Sequence, residues 1–467
     1  MSILSVLHIG AGAMLAQQQA LQTTSHNIAN VDTPGYTRQR VTLSTAYPVN
    51  RGSFFSGLGV NASAVTGVVD SFFEAQLVSL KVGLGSAGAE QRALSGVADA
   101  LPVTEEQGIG PALEAFWGAL SEVANNPAGQ AERANLIGRT RTLSDVLRQT
   151  RTALVDTQSH LDKDLDVAAR RLNTILPQVA SLNRQIVEGE VGGLRANDFR
   201  DQRQQLLQEL SGLVGATAHE EKDGQVTVQV DGILLVSGQS AASFNSSNLN
   251  PAGFRMVEYV SATGSSYDAT ALLTKGEVGG LITARDTTVA GFIDQLDLFA
   301  KTLVDTVNAQ HALGYDLNGV AGGNFFTPIA ATAGAAGLVQ INSAIEADSH
   351  LIAAAQNASG VPGDNRNAQA LAALQTSTQA ALSNVTFKDY FVRLISDVGQ
   401  RVQTSQDTQS FQQALLDQTQ ARRESLSGVN IDEEVTNLIK FQRAFEAASR
   451  LISIGDEMYQ TVINMIR

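Results

Sequence analysis

Six histidines, His8, His26, His160, His219, His311 and His350, are the side chains best suited to hold a metal or move a proton near neutral pH. Their spacing serves neither purpose. His219-Glu220-Glu221-Lys222-Asp223 has a histidine followed by glutamate but lacks the second histidine that closes a zincin site. Asp316-Leu317-Asn318-Gly319 begins like a calcium loop, then lacks the later ligands and the closing glutamate, and reads as a turn. Gly10-Ala11-Gly12-Ala13-Met14 begins like a dinucleotide fingerprint, but Leu15 stands in place of the third glycine and no strand precedes it. There is no phosphate loop and no Gly-x-Ser-x-Gly elbow with ordered partners. The absence of cysteine excludes disulfides, thiolate zinc sites and cysteine nucleophiles. The sequence therefore points to no catalytic residues, no cofactor and no metal.

The chemistry that the sequence does carry is association, and it lies at the two ends. Counting in sevens from Ile431 gives Leu438, Phe445, Ile452, Tyr459 and Ile466, and counting from Phe441 gives Ala448, Gly455 and Val462. Together they form an a/d seam on a C-terminal helix. At the N-terminus the same count gives Leu7, Met14, Leu21 and Ile28. Two matching repeats, separated by the whole chain, predict that the terminal helices pair. Ala448 and Gly455, with Gly10 and Gly12, are places where backbones can approach closely.

A length of 467 residues with 43% hydrophobic residues allows about three domains with real cores. The net charge of −14 and the absence of a Lys/Arg cluster argue against nucleic acid and against an anionic membrane surface. The apolar stretch near the N-terminus lacks the basic region of a secretory signal, because the first Lys or Arg is Arg38. Ser5, His8 and Gln17 interrupt it before it could span a bilayer. An export route that reads neither signal is expected if the protein leaves the cell.

From Ile3 to Asn30 there is no Asp, Glu, Lys or Arg, so this helix has no charged face to give to water and is expected to be enclosed by other helices. Pro34 and Gly35 predict a type II turn after Asn30, with Tyr36 opening an extended strand. Helical spacing returns over residues 71 to 101, with Gly83 and Gly85 as a weak point, and again after Pro111 up to Asn125-Asn126-Pro127. Trp117 beside Phe116 reads as core. Residues 128 to 188 form one long helical pattern that Pro177 is expected to kink. The run Asn197-Asp198-Phe199-Arg200-Asp201-Gln202-Arg203 reads as a solvated helix face with local charge pairing. Alternating valines at 226, 228 and 230, an Asp231-Gly232 turn and a return strand from Ile233 predict a hairpin. A further strand is expected from Phe254 to Val260, and loops with short strands over residues 314 to 363. A helix opening at residues 364 to 367 and a long one toward Ser427 follow. Asn430 or Asp432 is expected to cap the terminal helix, with carboxylates at its positive end.

The N-terminal run from Ala20 through Asn30, followed by Thr33-Pro34-Gly35-Tyr36-Thr37-Arg38-Gln39, resembles the signature of bacterial flagellar axial proteins. His26, the Tyr36 to Gln39 ending, the Asp-Gln-Arg segment, Gly428-Val429-Asn430 and the run Phe441 to Ala448 are similar to the hook-associated protein 1 family in particular. The resemblance implies a structural role joining hook to filament in the extracellular flagellum. It also implies export unfolded without a cleavable signal peptide, and a chaperone on the C-terminal segment. Expected partners are further copies of itself, the hook protein and a second junction protein.

The expected fold is mainly α with an inserted β-rich domain, in a discontinuous multi-domain arrangement. Residues 1-60 and 428-467 are assigned to a coiled-coil assembly domain that forms on assembly. Residues 61-213, 276-313 and 364-427 are assigned to a helical rod domain, and 214-275 with 314-363 to an outer β-rich domain. The expected interface residues are Leu7, Met14, Leu21, Ile28, Leu438, Phe441, Phe445, Ile452, Tyr459, Val462 and Ile466, with Asn30, Pro34, Gly35 and Tyr36 as the signature turn. Competing readings are another axial protein of hook or rod type, or an axial scaffold carrying a hydrolase or an adhesive module over residues 214 to 280.

Overall fold

A computed structural model describes residues 3–50, 55–102 and 108–466. Helix α1 (Ile3–Ala29) is followed by strand β1 (Gln39–Thr45), a two-residue pair β2 (Val49–Asn50) and β3 (Phe55–Ser56), and strand β4 (Val60–Gly67). β1 and β4 pair antiparallel, and α1 lies against this hairpin on one side. The approach is close: a Cβ on Gly12 would stand 3.2 Å from the Val60 carbonyl oxygen, and one on Gly59 would stand 3.3 Å from Ile9.

Helix α2 (Ser71–Ala100) is capped by Asp70, whose carboxylate accepts from Phe72 N–H at 2.9 Å. It runs unbroken through Gly83 and Gly85, which corrects the expected weak point. A Cβ at Gly85 would fall 2.2 Å from the Gly212 carbonyl oxygen and 2.9 Å from Glu277 N. The glycine is therefore where two neighbouring backbones meet the helix, a packing requirement rather than a break. Helix α3 (Ile109–Asn125) buries Phe116 and Trp117, the latter with its ring tilted 36° to that of Phe387 at 6.0 Å between centroids.

Helix α4 (Gln130–Gly189) is the spine, 60 residues long, or roughly 90 Å at 1.5 Å per residue. Its buried Leu136, Leu143, Leu154, Leu161, Leu172, Val179 and Ile186 are separated by sevens and elevens, about two and three turns, so one stripe faces neighbours along its length. Pro177 lies on the exposed side and the helix continues through it. Helix α5 (Asn197–Val214) folds back beside it.

The strand-bearing stretch follows. One four-stranded sheet contains β5 (Thr217–Glu220), β6 (Val226–Val230), β7 (Ile233–Ser237) and β8 (Ser240–Ala241). A three-stranded sheet contains β9 (Ser243–Asn245), β10 (Glu258–Val260) and β11 (Ser266–Asp268). The β6–β7 hairpin turns on Asp231 (φ 45°) and Gly232 (φ 87°), as Asp-Gly predicts. The strand expected over residues 254 to 260 is shorter, because Asn250 and its neighbours spend their polar groups on a turn. Both sheets dock on the C-terminal half of α4, where Asn183 Nδ2 donates to the Val226 carbonyl at 2.9 Å and Asn173 Nδ2 to the Phe244 carbonyl at 2.7 Å.

Helix α6 (Gly276–Thr283) passes through a wide π-turn (Ala284–Val289) into α7 (Ala290–His311). Residues 314 to 363 hold only short helices, including α8 (Ala335–Leu338) and α9 (Ser343–Ala347), with isolated bridges instead of the expected short strands. This segment sits at the other end of α4. Arg133 donates to the Ser349 and Ile352 carbonyls at 3.0 and 2.8 Å, and Arg141 pairs with Glu346 at 2.6 Å. The two stretches expected to form one outer layer thus pack on different halves of the spine. Helix α10 (Arg366–Ala373), the long α11 (Phe387–Ser427) and α12 (Ile431–Ile466) complete the chain. The architecture is mostly helical with small antiparallel sheets.

Candidate assembly interface

The chain ends pack against each other antiparallel. A Cβ at Gly455 would stand 2.8 Å from Leu7 Cδ2, and one at Gly10 would stand 2.9 Å from Ile452 Cγ1 and 3.5 Å from the Ala448 carbonyl. Asn27 meets Glu434 at the far end of the pair. The small residues singled out for close approach, Gly10, Ala448 and Gly455, are at the contact. On α12 Leu438, Phe441, Phe445 and Ile452 are half-buried and Ala448 is buried. On α1, Leu7, Met14, Leu21 and Ile28 are half-buried, while the deepest positions are Ala16, Ala20, Thr23, Thr24 and Asn27. The centre of that face is small and polar, and the large side chains flank it.

Tyr459 and Val462 depart from the expectation, at 49% and 42% exposed. The cause is length. With Leu7 beside Gly455, the remaining residues of α1 reach only about as far as Tyr459, so the last turns of α12 overrun the end of α1. The side chain of Ile466 lies outside the described residues. Away from the contact, Val435, Ile439, Leu451, Ile454 and Met458 of α12 are exposed among charged Asp432, Arg443, Arg450 and Glu457, and Ile463 is exposed beyond the end of α1. On α1, Leu4 and Leu15 are also exposed, so this chain alone encloses the helix on part of its surface only.

At the base of the pair the signature turn builds a polar node. Tyr36 N–H donates to the Thr33 carbonyl at 3.1 Å across Pro34 and Gly35, and Gly35 has φ 76°, as a type II turn requires. Asn30 closes α1, its amide donating to the His26 carbonyl at 3.0 Å and its oxygen accepting from Thr33 Oγ1 at 3.1 Å. The turn aims Tyr36 back at α1. Its hydroxyl donates to Asn27 Oδ1 at 2.8 Å and lies 3.0 Å from His26 Nδ1. Because the single hydroxyl proton goes to Asn27, the His26 Nδ1–H is the donor to the Tyr36 oxygen. Burial first, then Asp198, Asp201 and Glu434, push the Tyr36 phenol well above its ordinary value, so it stays a neutral donor.

Asn27, 1% exposed, uses its whole amide: Oδ1 accepts from Tyr36 and from Gln39 N–H at 2.9 Å, and Nδ2 donates to the Gln39 carbonyl at 2.9 Å and to Glu434 Oε2 at 3.1 Å. The helix is thereby joined to the strand edge and to α12 by one side chain. Glu434, 2% exposed, also accepts from Arg38 Nε at 2.7 Å, while Arg38 reaches Glu433 at 2.8 Å. The Arg38 backbone N–H donates to the Ser427 carbonyl at 2.8 Å, capping the end of α11. Asn430 caps α12 as expected, accepting from Asp432 N–H at 3.0 Å. The carboxylates of its first turn do more than face the helix dipole, since two of them hold Arg38.

Helix α5 forms the other wall, and its charged run is not a solvated face. Asp201 accepts from Thr37 N–H at 2.8 Å, and burial raises its carboxyl to about 6. Asp198 accepts from Gln39 Nε2 at 2.7 Å. Asn197 Nδ2 donates to the Val65 carbonyl at 3.0 Å, and Gln205 donates to the Pro34 carbonyl. Arg203, 3% exposed, donates to Asn183 Oδ1 and the Gly224 carbonyl at 2.9 and 2.7 Å. Arg423 of α11 pairs with Glu74 of α2, whose second oxygen accepts from Gln204 and Gln208 of α5 at 2.9 and 2.8 Å. The polar signature around Thr37 and Gln39 was the signal that α5 needed a partner there, but helix periodicity cannot say which one. Among the described residues no group of three His, Cys, Asp or Glu is placed to hold a metal, and no helix is long and apolar enough to cross a membrane.

Three family models match the chain. The flagellar hook-associated protein FlgK helical domain matches residues 94–326, the flagellar basal body rod FlgEFG protein C-terminal model residues 422–465, and the flagella basal body rod protein model residues 7–37. The chain is similar to flagellar hook-associated protein 1 of Bacillus subtilis, at 28% identity over 97% of this chain and 96% of that one. It is likewise similar to flagellar hook-associated protein 1 of Salmonella typhimurium, at 26% identity over 99% and 100%. The fold is like that of the flagellar hook junction protein FlgK from Burkholderia pseudomallei, with a TM-score of 0.66 and 17% identity over 75% of this chain and all of that one.

Proposed function

We infer that this chain, as a member of the flagellar hook-associated protein 1 family, is a structural component of the bacterial flagellum that joins hook to filament. The observation that carries the reading is the antiparallel pairing of the two chain ends, held at its base by Asn27 and Glu434, in a chain that matches those relatives from end to end. A joining part must present groups to neighbours, and the exposed apolar side chains of α12 are groups of that kind.

The finer mechanism follows from energetics. Ordering the terminal helices costs about 1 to 2 kcal/mol per residue of backbone entropy, and a single pair with one face bare recovers little beyond that. The pair becomes stable when further copies, the hook protein below and a second junction protein above cover the exposed face, and there the ends form a coiled coil. The helical middle acts as the rod and the strand-bearing stretch points outward. The protein is exported to an extracellular position, with a chaperone shielding the C-terminal segment on the way. Deleting residues 430 to 467 and observing hook ends in cells tests the reading. Loss of the filament is expected, and normal attachment would refute it. Hydrogen exchange on the purified monomer tests the assembly-dependent step: strong protection of residues 3 to 28 without partners would sink it.

A further inference from the structure

We propose that the buried polar cluster of Asn27, Arg38 and Glu434 is a register lock that selects one of two apolar-compatible alignments of the terminal helices. The observed contacts place residue 7 beside 455 and residue 10 beside 452, with Asn27 bonded to Glu434. In that alignment Met14 stands level with Ala448, Leu21 with Phe441, and Ile28 with Glu434.

Because both helices repeat every seven residues, sliding one by a heptad keeps apolar against apolar. It would put Leu7 level with Val462, Met14 with Gly455, Leu21 with Ala448 and Ile28 with Phe441. That alignment covers Val462, which is 42% exposed as it stands, and replaces a carboxylate opposite Ile28 with a phenyl ring. The slip also carries Leu438 level with residue 31, beyond Ala29, so hydrophobic burial alone does not decide between the two alignments. The slip moves Glu434 roughly 10 Å along the axis at 1.5 Å per residue, away from both Asn27 and Arg38. The amide and the guanidinium would lose their buried partner, a strongly unfavourable change. The observed register is the one in which the polar groups are satisfied, and its consequence is the free overhang of α12 beyond Tyr459. Asn27, Arg38 and Glu434 are positioning residues: they determine how much apolar helix the chain leaves for a neighbour.

The absence of cysteine makes the register readable by engineered disulfides in the full-length chain at high dilution. Gly10→Cys with Ile452→Cys reports the locked alignment, and Gly10→Cys with Tyr459→Cys reports the slipped one. With the native cluster the first pair is expected to close and the second to close at least about tenfold less. In Asn27→Ala/Glu434→Ala, which removes the polar contacts without placing a new apolar pair in register, the second pair is expected to close at least about tenfold more than in the native background. The Arg38→Gln/Glu434→Gln chain, which removes both charges and keeps amide hydrogen bonding, is expected to populate both and guards against misfolding of the alanine variant. Exclusive closure of the 10–452 pair in both variants, or no closure of it in the native background, would overturn the proposal. Cross-linking reads register whether or not the chain enters a flagellum, so its outcome is separable from the hook-to-filament role.

Discussion

Asn27 Nδ2 and Glu434 Oε2 lie 3.1 Å apart with both residues buried, although 407 positions of sequence separate them. Breaking a buried charged cluster costs up to about 3 to 5 kcal/mol when the abandoned groups stay dry and unpaired. Arg38, 24% exposed and still held by Glu433, and Asn27, still bonded to Gln39, keep the loss nearer about 1 to 3 kcal/mol. Glu434→Leu is therefore expected to lower the local stability of residues 20 to 45 by about that amount, whereas Arg38→Leu/Glu434→Leu costs less than either change alone predicts. Urea-dependent hydrogen exchange on the assembled protein measures it. Glu433→Ala, which removes only an exposed partner, is expected to cost about 0 to 1 kcal/mol.

Asp201 makes a different prediction, about pH. Its folded carboxyl is raised to about 6 by burial, above the ordinary value of 3.8. A raised folded value means that its favourable contribution is complete below the unfolded value and is lost as pH rises through about 6. Docking of α5 on the signature turn is expected to weaken from pH 4 to pH 7 relative to Asp201→Asn, which keeps an acceptor for Thr37 N–H. At about 1.4 kcal/mol per unit, discounted for partial exposure, the difference is about 1 to 2 kcal/mol. Thermal unfolding of the two chains across that range checks it, and parallel curves would disprove it.

Glycines on α2 separate two effects usually confounded. Replacing helical glycine by alanine gains about 1 kcal/mol from backbone propensity. At Gly83 the new Cβ would meet only the movable Gln412 side chain at 3.1 Å, so Gly83→Ala is expected to be neutral or stabilising. At Gly85 it would meet backbone on two sides, at 2.2 and 2.9 Å, so Gly85→Ala is expected to destabilise by about 1 to 3 kcal/mol. The sign of the two shifts in urea midpoint decides the matter.

These cases show where local pattern is sufficient and where it is not. Pro34-Gly35 specified the turn after α1 and Asp231-Gly232 the β6–β7 hairpin, because each depends on residues a few positions apart. The Asp198 to Arg203 run looked solvated because the i,i+4 rule sees only its own helix, while the partner Thr37 lies 164 positions away from Asp201. Gly85 looked like a break for the same reason: the backbones that crowd it belong to α5 and α6. The overhang of α12 was hidden because a seven-residue repeat is blind to which repeat pairs with which.

The exposed side of α12 yields the sharpest separation between folding and assembly. Ile454 and Met458 are spaced i,i+4, half exposed, and point away from the contacts with α1 that Gly455 and Ile452 make. Lysine there keeps helix propensity and places its charge in water in the lone chain, so Ile454→Lys/Met458→Lys should leave far-UV circular dichroism and the urea transition of the monomer within about 0.5 kcal/mol of the parent. If neighbours cover that face, each buried charge costs several kcal/mol without a partner. Incorporation at hook ends is then expected to fall by about a hundredfold or more, with filaments shed from otherwise intact hooks. Normal filament attachment by the doubly charged chain, seen by electron microscopy of cells, would mean that this side of α12 is not the surface that joins.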